Sequence, residues 1–361
     1  MSGFERSTGT GDRRPRAPVT ASSTLESVAN ELVAPGKGIL AADESFPTLG
    51  RRFAALGIKD SEETRRSYRE LLFTTADLAD AISGAILFDE TCRQSVRSGA
   101  SMTATLTRLG ITPGIKVDKG TTPLAGFPGE KMTQGLDGLR ERLVEYRELG
   151  VRFAKWRAVV SIGSGLPTAG CIETNAEALA LYAALSQEAG LVPIVEPEVL
   201  MDGEHTLEVC EEITRVTLNA VFSALVQRRV SLEAMLLKTG MVIPGKTCPQ
   251  QTDSTRVAEA TIRCLRRAVP TAVPGVVFLS GGQGAVAATE RLNAICRTGG
   301  NPWRMSFSFG RALQDEAMKV WGGSAARVPA AQAALRHRAR CNALATMGRY
   351  TEKVEREVGS L

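Results

Sequence analysis

Lys238 is the residue that most directly suggests chemistry, because its amine lies in an apolar run. Residues 235–240 read Met-Leu-Leu-Lys-Thr-Gly. Lysine is seldom fully buried unless it is paired or used. Burial disfavours its charged form and makes a neutral, nucleophilic amine available, which can attack a ketone and form a Schiff base. The chain has only ten lysines, and two more of them, Lys116 and Lys155, lie in similar apolar segments.

Charged and hydroxyl side chains recur at or just past the ends of short apolar runs. These residues are Asp43, Lys116, Lys155, Arg157, Glu196, Glu198, Lys238, Ser280 and Arg311. Alternation along a strand puts Lys155 and Arg157 on one face, and it does the same for Glu196 and Glu198 on the next strand. Any one of the nine could be a buried ion pair or a solvated strand end. Nine residues placed alike indicate one functional site.

Two glycine-containing loops predict an anion site. Residues 280–283 read Ser-Gly-Gly-Gln, and residues 308–311 read Ser-Phe-Gly-Arg. Glycines let backbone N–H groups approach an anion, and an arginine can bind its oxygens with two hydrogen bonds. The candidate ligands are Ser280, Gly281, Gly282, Ser308, Gly310 and Arg311.

A second group of residues could hold another anion on the opposite side of the same predicted site. Its candidate ligands are Ser45, Thr48, Arg52 and Lys116. Two phosphate sites on either side of a Schiff-base lysine imply a bisphosphorylated ketose as substrate.

The elements that must position these residues are short buried strands alternating with helices. Eight near-continuously apolar runs cover residues 38–43, 84–88, 114–118, 153–159, 192–198, 234–238, 275–280 and 305–310. Such runs are typical of buried parallel strands. The pattern predicts a (β/α)₈ TIM barrel, in which functional residues collect at the carboxyl ends of the strands.

Helical periodicity fills the intervals between these runs. We expect a helix over residues 134–150, one capped by Asn175 that ends at Gly190, and one opened by Asp253. Residues 327–347 predict an extra C-terminal helix. We assign residues 22–361 to a single domain.

Composition narrows the function further. The net charge of +5 is mild, and the basic residues are mixed with acids, which does not indicate a nucleic-acid binder. No apolar stretch is long enough to predict a membrane span. Two unrelated histidines exclude a metal centre built on several histidines, so we expect no metal and no cofactor. Seven scattered cysteines indicate reduced thiols in a cytoplasmic chain.

The amino terminus has a different character. Residues 1–21 are rich in Gly, Ser, Thr and Arg and lack apolar periodicity. We expect a disordered tail there rather than a targeting peptide.

Several separate motifs resemble class I fructose-bisphosphate aldolase. They cover residues 36–45, 114–120, 153–157, 195–198, 236–238, 279–283 and 307–313. The resemblance runs from about residue 25 to residue 351. It implies reversible cleavage of fructose 1,6-bisphosphate to triose phosphates in glycolysis or gluconeogenesis, carried out by a homotetramer.

The resemblance also implies roles for individual residues. Lys238 would form the Schiff base, and Glu196 would act as its general acid and base. Asp43 would take the proton from the C4 hydroxyl group. Lys155 would assist at that centre, with Glu198 and Arg157 as its electrostatic partners, and its positive charge would help to keep the Lys238 amine uncharged.

Other functions are compatible with parts of the pattern. A transaldolase-like enzyme would share the lysine but not the two phosphate sites. Sedoheptulose bisphosphate could be the substrate, or the chain could be a sugar-phosphate-binding scaffold. A class II aldolase would need histidine ligands that this chain does not have.

Overall fold

A closed barrel forms the centre of the computed structural model, which describes residues 21–357, with side chains from residue 24 onward. Its strands are β1 (Gly38–Ala42), β2 (Ile82–Leu87), β3 (Thr112–Lys116), β4 (Thr121–Pro123), β5 (Lys131–Thr133), β6 (Phe153–Val160), β7 (Val192–Val199), β8 (Leu236–Thr239), β9 (Gly275–Phe278) and β10 (Arg304–Phe309). All except β4 and β5 join the barrel in chain order, each parallel to its neighbours, and β10 pairs with β1. The predicted (β/α)₈ barrel is confirmed.

Helices surround this barrel. They are α1 (Ala21–Leu32), α2 (Phe46–Ala54), α3 (Glu62–Phe73), α4 (Asp89–Cys92), α5 (Met102–Arg108), α6 (Leu139–Glu148), α7 (Ala169–Glu188), α8 (Leu207–Gln227), α9 (Ser254–Ala268), α10 (Ala285–Arg297), α11 (Arg311–Trp321), α12 (Val328–Thr346) and α13 (Glu352–Arg356). The helix α12 corresponds to the extra C-terminal helix predicted from the sequence. It packs against α10 and α11 on the outside of the barrel.

The strands form because both of their faces are buried. Every residue of β1, β2, β8 and β9 is buried, which explains why the sequence runs are continuously apolar. Close packing inside the barrel also requires small residues. A Cβ atom added to Gly114 would lie only 2.2 Å from ring carbons of Phe153.

The helix α1 closes the amino-terminal end of the barrel. Its residues Leu25, Val28, Ala29 and Leu32 belong to one buried cluster with the inward-facing residues of the strands. The helix packs against the 3₁₀ turn that precedes β8. This helix is not among the elements predicted from periodicity. Its position leaves the carboxyl end of the barrel for the cavity described below.

Two helices begin elsewhere than predicted. The helix α6 begins at Leu139 instead of residue 134, because β5 pairs with β4 as an antiparallel hairpin just before it. The helix α7 begins six residues before Asn175, and the side chain of Thr168 caps it by accepting from the Cys171 N–H. The Asn175 amide lies inside the helix and donates to the carbonyls of Lys131 and Cys171.

Other predictions for the helices and tail have mixed outcomes. Asp253 does cap α9, because its carboxylate accepts from the backbone N–H groups of Thr255 and Arg256. The predicted disordered tail, residues 1–21, lies outside the described residues apart from Ala21, where α1 begins. Within residues 21–357, none of the helices is long and apolar enough to cross a membrane.

Candidate active site

A cavity of about 890 Å³ lies at the carboxyl ends of the barrel strands. Every residue predicted for the site lines this cavity except Gly282. The lining set comprises Lys238, Glu196, Asp43, Lys155, Glu198, Ser45, Thr48, Arg52, Lys116, Arg157, Ser280, Gly281, Ser308, Gly310 and Arg311. Strand ends that are far apart in the sequence therefore meet in one place, as the barrel topology requires.

Glu196 stands between two lysine amines. Its Oε1 lies 3.1 Å from Nζ of Lys238, and its Oε2 lies 3.3 Å from Nζ of Lys155. All three side chains are about 4% exposed. A carboxylate in this position can exchange a proton with either amine without a route through bulk solvent, so the structure brings together the expected nucleophile and its acid–base partner.

Asp43 and Lys155 form a buried ion pair. Nζ of Lys155 lies 2.7 Å from Oδ2 of Asp43. Burial favours the neutral acid, but the charges of Lys155 and Lys238 outweigh it and lower the pKa of Asp43 to about 2. Burial likewise opposes the charge on Lys155, yet Asp43 and Glu196 raise the pKa of Lys155 above its ordinary value. At neutral pH this pair is therefore a carboxylate and an ammonium.

This pairing changes two expectations about Lys155. Its charge is balanced by Asp43 and Glu196, so simple repulsion of Lys238 is not its main electrostatic effect. Its partners also differ from Glu198 and Arg157, which bind each other instead. The strands β6 and β7 are aligned so that Arg157 is opposite Glu196. Glu198 lies two residues further toward the carboxyl end of β7. The Arg157–Glu198 pair therefore lies above the Lys155–Glu196 contact.

The loops after β9 and β10 lie at the cavity, where the sequence predicts an anion site. Gly281 and Gly282 have φ values of +58° and +94°, in the left-handed region that glycine adopts without strain. The backbone N–H groups of the second loop lie at the amino end of α11, where the helix dipole favours an anion. Among the described residues, the Ser308 hydroxyl has no hydrogen-bond partner although Ser308 is only 1% exposed.

Arg311 complements these loops. It is the first residue of α11, and a Cβ atom on Gly282 would lie 3.4 Å from its Nη2. Gly282 therefore lies against Arg311 although it does not line the cavity itself. Arg311 makes no ion pair with any residue in the described part of the chain, so its guanidinium is available to an anion.

The second predicted anion site is more strongly paired. Arg52 contacts Glu44, and its Nη2 lies 2.9 Å from Oδ1 of Asp315. Nζ of Lys116 contacts Asp118 through both the carboxylate and the backbone carbonyl. The hydroxyls of Ser45 and Thr48 lie 3.3 Å apart. The predicted ligands do face one cavity, but their two cations are already neutralised by carboxylates.

The sequence analysis does not predict the carboxylates that pair with these cations, which belong to Glu44, Asp118 and Asp315. Glu44 also binds the buried guanidinium of Arg69, and its position immediately after Asp43 is the signal that could have identified it. Asp118 lies two residues beyond Lys116, at the end of a run already recognised as a strand. A polar residue at that end of a barrel strand could have been included by the rule that found Lys116.

The loop that carries Ser45 is held by aromatic contacts. The rings of Phe46 and Phe88 meet edge to face with centroids 5.1 Å apart, and the guanidinium of Arg65 lies 4.7 Å from the Phe46 centroid. Phe88 itself lines the cavity. The loop after β1 is therefore anchored at the rim.

Together, the closed barrel and the buried amine at the carboxyl ends of its strands define an enzyme of the (β/α)₈ class. The family model for "Fructose-bisphosphate aldolase class-I" matches residues 24–360. The chain belongs to the class I fructose-bisphosphate aldolase family, and it is a lyase.

Individual relatives agree with this membership. "Probable fructose-bisphosphate aldolase class 1" of Xanthomonas axonopodis pv. citri is 54% identical over 330 residues, which cover 90% of this chain and 98% of that protein. The fructose-bisphosphate aldolase of Dictyostelium discoideum is 50% identical, with 91% and 92% covered. A solved structure of the Plasmodium falciparum aldolase, in complex with TRAP and a small-molecule inhibitor, has a TM-score of 0.91 at 47% identity. That match covers 93% of this chain and 98% of the other.

Proposed function

We propose that the chain cleaves fructose 1,6-bisphosphate reversibly to dihydroxyacetone phosphate and glyceraldehyde 3-phosphate through a Schiff base on Lys238. The observation that carries this proposal is the buried Lys238 amine, 3.1 Å from the Glu196 carboxylate in a cavity with an anion-binding end. Sugar bisphosphate and triose phosphates are accordingly the partners of the site.

Imine formation depends on Glu196. The Lys238 amine adds to the carbonyl carbon C2 of the ketose, and the resulting carbinolamine must lose water. Glu196 can take a proton from the attacking amine and return one to the departing hydroxyl, because it contacts the amine directly. Lys155, on the other oxygen of Glu196, can supply or accept the next proton.

Cleavage of the C3–C4 bond depends on Asp43. Asp43 takes the proton of the C4 hydroxyl, the C4–O bond becomes a carbonyl, and the C3–C4 electron pair moves into the protonated imine to give an enamine. Glyceraldehyde 3-phosphate leaves at this stage. Protonation of the enamine at C3 and hydrolysis of the imine then release dihydroxyacetone phosphate and the free lysine. The imine accepts the electron pair, so we propose a reaction that is independent of metal ions.

The two phosphates are assigned to the two ends of the cavity. Ser280, Gly281, Gly282, Ser308, Gly310 and Arg311 bind one phosphate through backbone N–H groups, hydroxyls and a guanidinium. Ser45, Thr48, Arg52 and Lys116 bind the other. In the second set, the phosphate takes over cations that now contact Glu44, Asp118 and Asp315.

We also propose a homotetramer. Apolar side chains are exposed on the outer helices, with Leu181 on α7 and Val209, Val216 and Val226 on α8. Their exposed fractions range from 36% to 61%. Burial of these side chains between subunits would remove apolar surface from water.

The proposed location is the cytoplasm. All seven cysteines are free thiols, as expected in a reducing compartment. Among the relatives, one Arabidopsis thaliana aldolase is named cytosolic, although another is named chloroplastic.

A coupled assay tests the proposed reaction. Fructose 1,6-bisphosphate cleavage is followed through the triose phosphates released, with and without a strong metal chelator. We expect equal turnover under the two conditions. Circular dichroism shows whether the protein stays folded in the presence of chelator. Loss of turnover in a protein that stays folded, restored by a divalent metal, would contradict the imine mechanism, and absence of cleavage would contradict the proposed substrate.

A further inference from the structure

A second group of chemically reactive side chains lies outside the catalytic cavity, between α12 and α13. His337 and Cys341 are one turn apart on α12, and Nε2 of His337 lies 3.6 Å from Sγ of Cys341. Glu355 reaches them from α13. Each of the three residues offers one ligand atom, and these atoms all lie within 4.8 Å of one another.

The spacing of these atoms suits a tetrahedral metal ion. Zinc binds thiolate sulfur at about 2.3 Å and imidazole nitrogen at about 2.0–2.1 Å, so tetrahedral angles place the two ligand atoms about 3.6 Å apart. This separation equals the distance between His337 and Cys341. A nitrogen, a sulfur and a carboxylate oxygen are also a ligand set that zinc accepts.

The three candidate ligands differ in exposure, and a cysteine ligand loses its proton when a metal binds. Cys341 is completely buried, whereas His337 and Glu355 are half-buried.

Neighbouring residues orient the carboxylate. Oε2 of Glu355 accepts from the Tyr350 hydroxyl at 2.8 Å and from Nη1 of Arg338 at 2.9 Å. Oε1 contacts only Nη2 of Arg338 among the described residues. Oε1 therefore has fewer contacts than Oε2, and a metal bound to it would replace its contact with Arg338. Partners of this kind hold a ligating carboxylate in position.

We propose that His337, Cys341 and Glu355 form a binding site for zinc or another thiophilic divalent cation, with water in the fourth position. The thiolate and the carboxylate offset the charge of the metal in the presence of Arg338. The site takes two ligands from α12 and one from α13, so the bound ion joins α13 to α12. This role is separate from the lysine chemistry. The sequence predicts no metal, because it excludes a centre built on several histidines and does not favour a cysteine-based one, and this proposal departs from that prediction.

Cobalt titration of the full-length protein tests the site directly. The protein is treated with chelator, freed of it, and titrated with Co²⁺ and then Zn²⁺. We expect one Co²⁺ per chain, with a thiolate-to-cobalt charge-transfer band in the near ultraviolet that Zn²⁺ abolishes. Cys341→Ser should remove the band, and His337→Asn should weaken binding at least tenfold.

A second cysteine provides the matched control. Cys296 lies on α10, and its thiol contacts the Met305 carbonyl. Cys296→Ser should keep the band and the affinity of the unmodified chain. Circular dichroism and aldolase turnover report whether each variant is folded, and His337→Asn remains available if Cys341→Ser does not fold. A wild-type spectrum without the charge-transfer band would overturn the proposal, and so would a band that survives Cys341→Ser.

Discussion

Asp43 and Lys155 are paired before any substrate is present, with 2.7 Å between Oδ2 and Nζ. The proposed base for cleavage is therefore ionised and held in place by a cation that also contacts Glu196. Because Glu196 in turn contacts Lys238, the four side chains form a continuous series of ion pairs from the proposed nucleophile, Lys238, to the proposed base, Asp43. Replacing one of these residues therefore changes the electrostatic environment of the others.

Replacement of Asp43 separates the two halves of the proposed reaction. Asp43→Ala leaves Lys238 and Glu196 in contact, so we expect the imine with dihydroxyacetone phosphate to form still. Cleavage should be about 10²- to 10⁴-fold slower, the usual contribution of general acid–base catalysis. Single-turnover cleavage and borohydride trapping measure the two steps separately. Unimpaired cleavage would remove Asp43 from its assigned role.

The same residue should make stability depend on pH. The pKa of Asp43 is lowered from 3.8 to about 2, so its stabilising effect is fully present above the unfolded pKa and is lost as the pH falls toward 2. One pKa unit corresponds to about 1.4 kcal/mol, which makes the effect about 2–3 kcal/mol. Asp43→Asn should therefore lower the free energy of unfolding by about that amount at neutral pH, and by clearly less near pH 3.

Urea unfolding at the two pH values measures this difference. Asp202→Asn is a suitable control, because Asp202 is exposed in the loop after β7. The control should change stability little at either pH. An equal loss for Asp43→Asn at both pH values would show that its charge does not stabilise the fold.

Arg311 offers a test of the first anion site. Arg311→Ala removes a free guanidinium from the edge of the glycine loop. We expect phosphate binding to weaken by about 1.5–3 kcal/mol, the range for hydrogen bonds to charged groups. Arg304 lies exposed at the opposite end of β10, so Arg304→Ala is a matched control. Kinetic constants for fructose 1,6-bisphosphate that are equally affected in both variants would contradict this assignment.

Arg52 should discriminate between substrates with one and two phosphates. Arg52→Ala removes a proposed ligand of the second phosphate without touching the first site. If the first site binds the C1 phosphate and the second the C6 phosphate, kcat/KM for fructose 1,6-bisphosphate should fall at least tenfold, while that for fructose 1-phosphate changes little. Steady-state kinetics with both sugars give the ratio. A parallel loss for both would mean that Arg52 acts mainly through its ion pairs with Glu44 and Asp315.

The sequence predicts the barrel and most cavity residues for one physical reason. Buried parallel strands are continuously apolar, and a barrel gathers their carboxyl ends, so polar residues within or just past the apolar runs mark the site. Lys238, Glu196 and Asp43 were found in this way although they are far apart in the chain. The contact between Lys238 and Glu196 follows from the neighbouring strands β8 and β7, because the register that pairs Val195 with Leu237 places the next residues of both strands side by side.

The sequence does not predict which charges pair, because pairing depends on side-chain reach across the cavity. Lys155 binds Asp43 from the first strand instead of Glu198 from the adjacent one. Lys116 and Arg52 are held by Asp118 and Glu44, which polar spacing alone did not single out. The start of α7 was also missed, because its cap, Thr168, lies in a loop without apolar periodicity.

The most direct test of the proposed chemistry is covalent trapping at Lys238. The protein is incubated with dihydroxyacetone phosphate, reduced with borohydride, digested and analysed by peptide mass, alongside Lys238→Met. A reduced adduct on the peptide containing residue 238, with no turnover in the variant, is the predicted result. An adduct on Lys155, no adduct at all, or full turnover without the residue 238 amine would contradict it.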